Sequence, residues 1–116
     1  MADRRYPVQP WGMKSMWVLA FFDLPVQTPQ NRKDYSRFRK DLIEDGFTMM
    51  QFSVYSRHCA SIENTEVHIE RMARRLPPEG EVRFLVITDK QFSRIRTFSG
   101  QKRQPAAPTP SQLELF

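Results

Sequence analysis

The sequence predicts an α+β fold, a two-layer sandwich in the order β-α-β-β-α-β with one further strand at its C-terminal end. Three observations carry this expectation. Runs rich in β-branched and aromatic residues, at 16–23, 47–59 and 81–89, alternate with two stretches whose apolar residues recur at helical spacing. Proline, glycine or small hydroxyl residues punctuate the joints between them. The chain has 116 residues, 40% hydrophobic and 27% charged, a size and balance that suit one globular domain.

Met16 to Asp23 is a nearly continuous apolar run closed by Leu24-Pro25, which suits a central strand covered on both faces. Thr28 offers a hydroxyl at an N-cap position, and Pro29 follows where a first helical residue should stand. Tyr35, Phe38, Leu42 and Ile43 then form one apolar helical stripe, and Gly46 supplies the stop. Phe47 to Cys59, interrupted near Gln51, reads as two strands or one long bent strand. Ser61 or Asn64 can cap a second helix, with Ile69, Met72, Ala73 and Leu76 on its apolar side and Pro77-Pro78 ending it. Glu81 to Asp89 is another buried strand, and Phe92 to Phe98 is expected to form a short edge strand.

This order is the split βαβ, or ferredoxin-like, pattern, in which two helices cover one face of an antiparallel sheet. The strands are apolar on both sides, so the second face is expected to need cover. A second copy of the chain is the simplest supply, which predicts a homodimer. The domain is expected to span 16–100. Residues 1–15 read as an N-terminal extension. Residues 101–116 read as a flexible Pro-rich tail ending in a compact apolar tip at Gln112, Leu113, Glu114, Leu115 and Phe116.

Composition narrows the chemistry. The formal charge of +5 favours an anionic partner, of which nucleic acid is the commonest, although a basic surface without a particular ligand has the same composition. One cysteine, Cys59, can form no internal disulfide and reads as a small buried apolar residue. The longest apolar run is too short to cross a bilayer, and the N-terminus lacks the apolar stretch of a signal peptide, so a cytoplasmic protein without membrane contact is expected. His68 reads as a solvated helix residue and His58 as a structural residue at a strand end. No nucleophile elbow and no Gly-rich phosphate loop is present.

Asp23 stands out by position. A carboxylate directly after an apolar strand sits at the mouth of the core, where it must cap backbone amides, meet a cation or pair across an interface. A turn-capping role is the plain alternative. Mg²⁺ keeps several waters and takes one or two carboxylates, so two copies of Asp23 near a twofold axis would suit one ion between subunits. Arg32, Lys33, Arg37, Arg39 and Lys40 on the first helix, and Arg94, Arg96, Lys102 and Arg103 later, could follow a phosphate backbone. Asp34, Asp41, Glu44 and Asp45 allow the first helix to be read as a balanced, solvated face instead. No aromatic and basic residues interleave in the manner of single-strand binders, which predicts reading of shape and backbone.

Phe22-Asp23-Leu24-Pro25, Phe38-Arg39-Lys40, Asp45-Gly46-Phe47, Gln51-Phe52-Ser53-Val54-Tyr55-Ser56-Arg57, the Leu76-Pro77-Pro78-Glu79-Gly80-Glu81-Val82-Arg83 segment and Ile87-Thr88-Asp89-Lys90-Gln91-Phe92 occur in this order from about Met16 to Gly100. Together they resemble the CRISPR-associated protein 2 family, in the style that accompanies type II systems. The resemblance implies a ferredoxin-like homodimer that bridges dimers of the CRISPR integrase, CRISPR-associated protein 1, and holds a short double-stranded DNA for insertion as a new spacer. It also implies a Mg²⁺-dependent endonuclease acting on single-stranded RNA or double-stranded DNA, dispensable or absent in adaptation. Asp23 falls on the family's catalytic and metal-binding position, with supporting roles for Ser53, Arg57 and Arg32. A toxin-type ribonuclease of the virulence-associated D family, which shares the fold, is the alternative. The tip at Gln112, Leu113, Leu115 and Phe116 resembles the short peptide that hooks bacterial replication and repair proteins onto the sliding clamp; docking on the integrase by strand addition is the rival reading.

Overall fold

The computed structural model describes residues 14–100. Its sheet is built from β1 (Met16–Asp23), β2 (Thr48–Gln51), β3 (Val54–Cys59) and β4 (Glu81–Thr88), in the spatial order β2-β3-β1-β4. Every neighbouring pair is antiparallel. Helices α1 (Pro29–Glu44) and α2 (Ile62–Ala73) cover one face, and a five-residue helix α3 (Asp89–Ser93) follows β4. The expected ferredoxin-like α+β sandwich is therefore present, with β1 at the centre as its apolar run requires. The N-terminal extension and the Pro-rich tail lie outside the described residues. Among the described residues no helix is long and apolar enough to cross a membrane.

The helix boundaries follow local chemistry. The Thr28 hydroxyl accepts the Asn31 amide at 3.0 Å, while the Asn31 side chain accepts the Thr28 amide at 3.3 Å. This reciprocal capping box, with Pro29 as the first helical residue, satisfies two donors that a helix start otherwise leaves open. Gly46 ends the turn after α1 at φ +99°, a conformation that disfavours side chains. Ser61 caps α2 by accepting the Asn64 amide at 3.0 Å.

Register sorts the strand residues onto two faces. Val18, Ala20 and Phe22, with Tyr55, Cys59, Val82, Phe84 and Val86, face the helices and pack on Phe38, Leu42 and Met72. The Phe22 ring lies at the middle of an aromatic group, with its centroid 5.4 Å from Phe38, 5.6 Å from Tyr55 and 5.9 Å from Tyr35. Burial raises the pKa of the Tyr55 phenol, opposed by the nearby Arg39 guanidinium.

Four expectations need correction. Phe92–Phe98 is not an edge strand: Thr88 and Gln91 form a second capping box that starts α3, and the described chain beyond Arg94 has no regular structure. Phe92 stacks flat on Trp17 at a centroid distance of 3.7 Å, which anchors that helix. Ile43 and Leu76 are exposed, so each apolar stripe is narrower than its spacing suggests. His68 is buried, not solvated; its Nδ1 lies 2.8 Å from Asp45, whose other oxygen accepts Arg71 at 2.6 Å. That cluster ties the end of α1 to α2. A buried polar pair of this kind persists because each member satisfies the other.

Candidate nucleic-acid and metal site at the end of the central strand

The face turned away from the helices carries its residues in rows set by register. His58, Trp17 and Ile87 form one row; Ser56, Leu19 and Leu85 the next; Val54, Phe21 and Arg83 the third. Asp23 and Glu81 stand opposite each other in the last row. The middle is apolar, with Leu19 buried and Phe21 and Leu85 partly exposed, whereas the two ends are polar. The expectation of a second apolar face thus holds for the centre and fails at the rims. At the Trp17 rim the indole N–H donates to Asp89 at 2.6 Å, and His58 lies 3.7 Å from the same carboxylate.

Asp23 is exposed at the end of β1, not half-buried as its neighbours suggest. The turns on both sides hold its backbone. Ser53, in the turn between β2 and β3, accepts the Phe22 amide through its carbonyl at 3.1 Å. It does so in a left-handed conformation, φ +65°, and its hydroxyl approaches Tyr35 Oη at 3.5 Å. On the other side Gly80 packs so closely that a Cβ there would lie 2.6 Å from the Asp23 carbonyl oxygen. Only glycine fits that approach, and its φ of +95° makes the same demand. Phe52 is the first residue of the two-residue turn that joins Gln51 to Val54, immediately before the Ser53 that meets Phe22. Phe52 is 75% exposed.

The Mg²⁺ implied by the resemblance can be tested against this donor set. Among the described residues no three metal-ligating side chains gather. Asp23 offers one solvent-facing carboxylate, with Glu81 across the strand boundary but paired to Arg83 at 3.0 Å. Such a set fits a largely hydrated hard cation held by one or two carboxylates and does not fit a closed protein cage.

The basic residues divide. Arg32, Lys33, Arg37, Arg39 and Lys40 all lie exposed along α1. Arg32 donates to the Val26 and Gln27 carbonyls at 3.1 Å, which fixes the loop between β1 and α1. Arg37 lies 3.8 Å from the buried Asp34 carboxylate. Arg57 stands apart from Asp23: it sits opposite Val18, about 17 Å along the strand from Asp23 and on the helix-covered face. Its guanidinium donates to the Asp45 and His58 carbonyls, each at 2.7 Å, so here it fastens backbone. Ser53 is brought beside Asp23 and Arg57 is not. Sequence reasoning missed Glu81, Gly80 and Phe52, because strand pairing places the first and turns packed against the end of β1 place the other two; the turn signal at Pro77-Pro78-Glu79-Gly80 was the one local clue.

A family model described as CRISPR associated protein Cas2 matches residues 16–95, a span that contains every element of the sheet and all three helices. A protein of Parvibaculum lavamentivorans named CRISPR-associated endoribonuclease Cas2 is 68% identical over 101 residues, covering 87% of this chain and 100% of that protein. A protein of the same name from Flavobacterium psychrophilum is 50% identical over 103 residues, covering 89% and 90% respectively. Another, from Paracidovorax avenae, is 42% identical over 105 residues, covering 90% and 97%. With this fold, the exposed Asp23 at the end of its first strand and matches of this extent, the chain belongs to the CRISPR-associated protein Cas2 family.

Proposed function

We propose that this chain serves CRISPR adaptation as a homodimer that bridges integrase dimers and holds double-stranded DNA, and that Asp23 gives it a metal-dependent endonuclease activity. The observation that carries the proposal is the open sheet face. Around the buried Leu19 its apolar residues Phe21 and Leu85 lack cover in one chain, and Asp23 lies at its rim. A second copy on that face would bury the centre and could bring two Asp23 carboxylates toward one axis.

When bound, Mg²⁺ would neutralise charge on the scissile phosphodiester. The chain's own residues do the rest. Asp23 would hold the ion, with its backbone braced by Ser53 and Gly80. Lys33, Arg39 and Lys40, exposed on α1, would follow the phosphate backbone and make binding salt-dependent. The relatives' names favour RNA as a substrate of cleavage, and duplex DNA remains the ligand of the scaffold. Family membership does not favour the virulence-associated D toxin reading. The clamp-binding role of Gln112, Leu113, Leu115 and Phe116 stays a proposal about residues outside the described ones; deletion of 112–116 should abolish capture of the sliding clamp.

The test pairs wild type with Asp23→Ala in two assays. The variant should keep its fold, because Asp23 is exposed and makes no side-chain hydrogen bond among the described residues. It should lose Mg²⁺-dependent cleavage and still support spacer integration with the partner integrase. Equal cleavage by both proteins would remove Asp23 from the chemistry. Loss of integration by a folded variant would remove the separation of scaffold from nuclease.

A further inference from the structure

The turn that braces Asp23 also presents an aromatic ring beside it. Phe52 is 75% exposed, yet its backbone neighbours are firmly held. Ser53 is bonded to β1 through the Phe22 amide, is set at φ +65°, and meets Tyr35 of α1. A non-glycine residue in that conformation persists only where its surroundings hold it there. Phe52 is thus an exposed ring on a fixed mount. It directly precedes Ser53, whose carbonyl meets the Phe22 amide next to Asp23, the one carboxylate assigned above to the phosphodiester.

The charge around it points to one class of ligand. Arg39 stands one helical turn along α1 from Tyr35, whose hydroxyl meets Ser53, and so lies on the flank of α1 that faces this turn. Lys40 is its neighbour, and the chain as a whole carries +5. A cationic flank, an exposed ring and a carboxylate in sequence suit an unpaired nucleotide: phosphates along α1, base against the ring, sugar–phosphate link at Asp23. The ring offers no hydrogen-bond donor or acceptor, so it would take any base. In the linear sequence Arg39 and Phe52 are far apart, which hides the interleaving of basic and aromatic groups that single-strand binders use.

We propose that Phe52 is a base-stacking platform that holds an unpaired nucleotide of a single-stranded polynucleotide next to Asp23. This rests on the nuclease reading of Asp23 but has its own readout. The experiment measures fluorescence anisotropy of the full-length protein without divalent metal. The probes are a short single-stranded RNA, a duplex of the same sequence, and the single strand with one abasic position moved stepwise along it. Phe52→Ala should weaken single-strand binding about tenfold, equivalent to about 1.4 kcal/mol, within the range of one base–aromatic stack. Duplex binding should be unchanged, and Phe52→Trp should restore single-strand affinity with quenching of the new indole. One abasic position should lower wild-type affinity to that of Phe52→Ala.

Equal single-strand affinity of wild type and Phe52→Ala would overturn the proposal while leaving Asp23-dependent cleavage untouched. So would equal weakening on single strand and duplex. A third overturning result is a Phe52→Ala protein that becomes monomeric by light scattering while Phe52→Leu restores both dimer and binding, because that assigns the ring to a second copy of the chain. If Asp23→Ala cleaves like wild type but the Phe52 effects hold, the nuclease reading fails and the stacking platform stands.

Discussion

The two faces of the sheet are built on the same strands and serve different ends. On the helix-covered face, Val18, Ala20 and Tyr55 meet Phe38, Leu42 and Met72, all out of water, with Val82, Phe84 and Val86 partly buried against them. On the open face the middle is apolar but Leu85 remains 48% exposed, and charged residues hold one rim. Alternation along β1 divides the two, since each step of one residue crosses the sheet. The difference teaches where stability and function separate. The covered face is complete within one chain. The open face leaves Phe21 and Leu85 without cover in one chain, and Asp23, proposed above for the phosphodiester, stands at its rim.

Paired truncations would break that contrast if it is wrong. Phe38→Ala removes a ring with no exposed surface and should cost about 3–5 kcal/mol of stability, because the surrounding aromatics can close the cavity only in part. Leu85→Ala, read in the same urea melt at low protein concentration, should cost below about 1 kcal/mol. At high concentration it should instead weaken dimer formation, seen by sedimentation. Losses of equal size at low concentration would show that the two faces contribute alike to the single chain.

A smaller effect sharpens the contrast at the rim. Gly80→Ala forces a Cβ within 2.6 Å of the Asp23 carbonyl oxygen and into a φ of +95°. The conformation alone costs about 1–2 kcal/mol, and the contact adds to it. Because the clash falls on the backbone that carries Asp23, cleavage should drop more than the stability loss explains. Thermal melts and a cleavage assay at a temperature where the variant is fully folded separate the two. Unchanged cleavage by the folded variant would mean that the brace does not set the carboxylate.

The parts of this molecule that could be read from sequence are those decided by neighbours along the chain. Thr28 and Pro29 announce α1, Gly46 ends it, and the unbroken apolar run of β1 marks a strand between two others. Asp23 was legible because a charge directly after such a run needs a reason. The start of α3 was legible too and was misread: Thr88 and Gln91 have capping-box spacing, which outweighs the strand-like composition of Phe92–Phe98. What could not be read depends on register. Nothing near Glu81 says that it faces Asp23, and nothing near Phe52 says that a turn is fastened to Phe22. His68 looked solvated among charged neighbours because its partner Asp45 is far away in sequence and close only in the fold.

The smallest effect contrasts two adjacent residues on opposite faces. Cys59 points into the core and His58 to the open rim. Burial pushes the Cys59 thiol above its ordinary range, with the Arg57 guanidinium opposing. A thiol whose folded pKa is raised is stabilising while both states are protonated. That contribution is fully present below the unfolded value of about 8.5 and is lost as pH rises through the higher folded value. Native protein at pH 8 should therefore react with a thiol reagent only as fast as it opens, and urea should speed the reaction sharply. Cys59→Ala, which removes the thiol's alkaline liability, should flatten the decline in stability between pH 8 and 10, and His58→Ala should leave that slope unchanged. A thiol that reacts at the rate of a free cysteine in the folded protein would place Cys59 in solvent and erase the distinction between the faces at this end of β3.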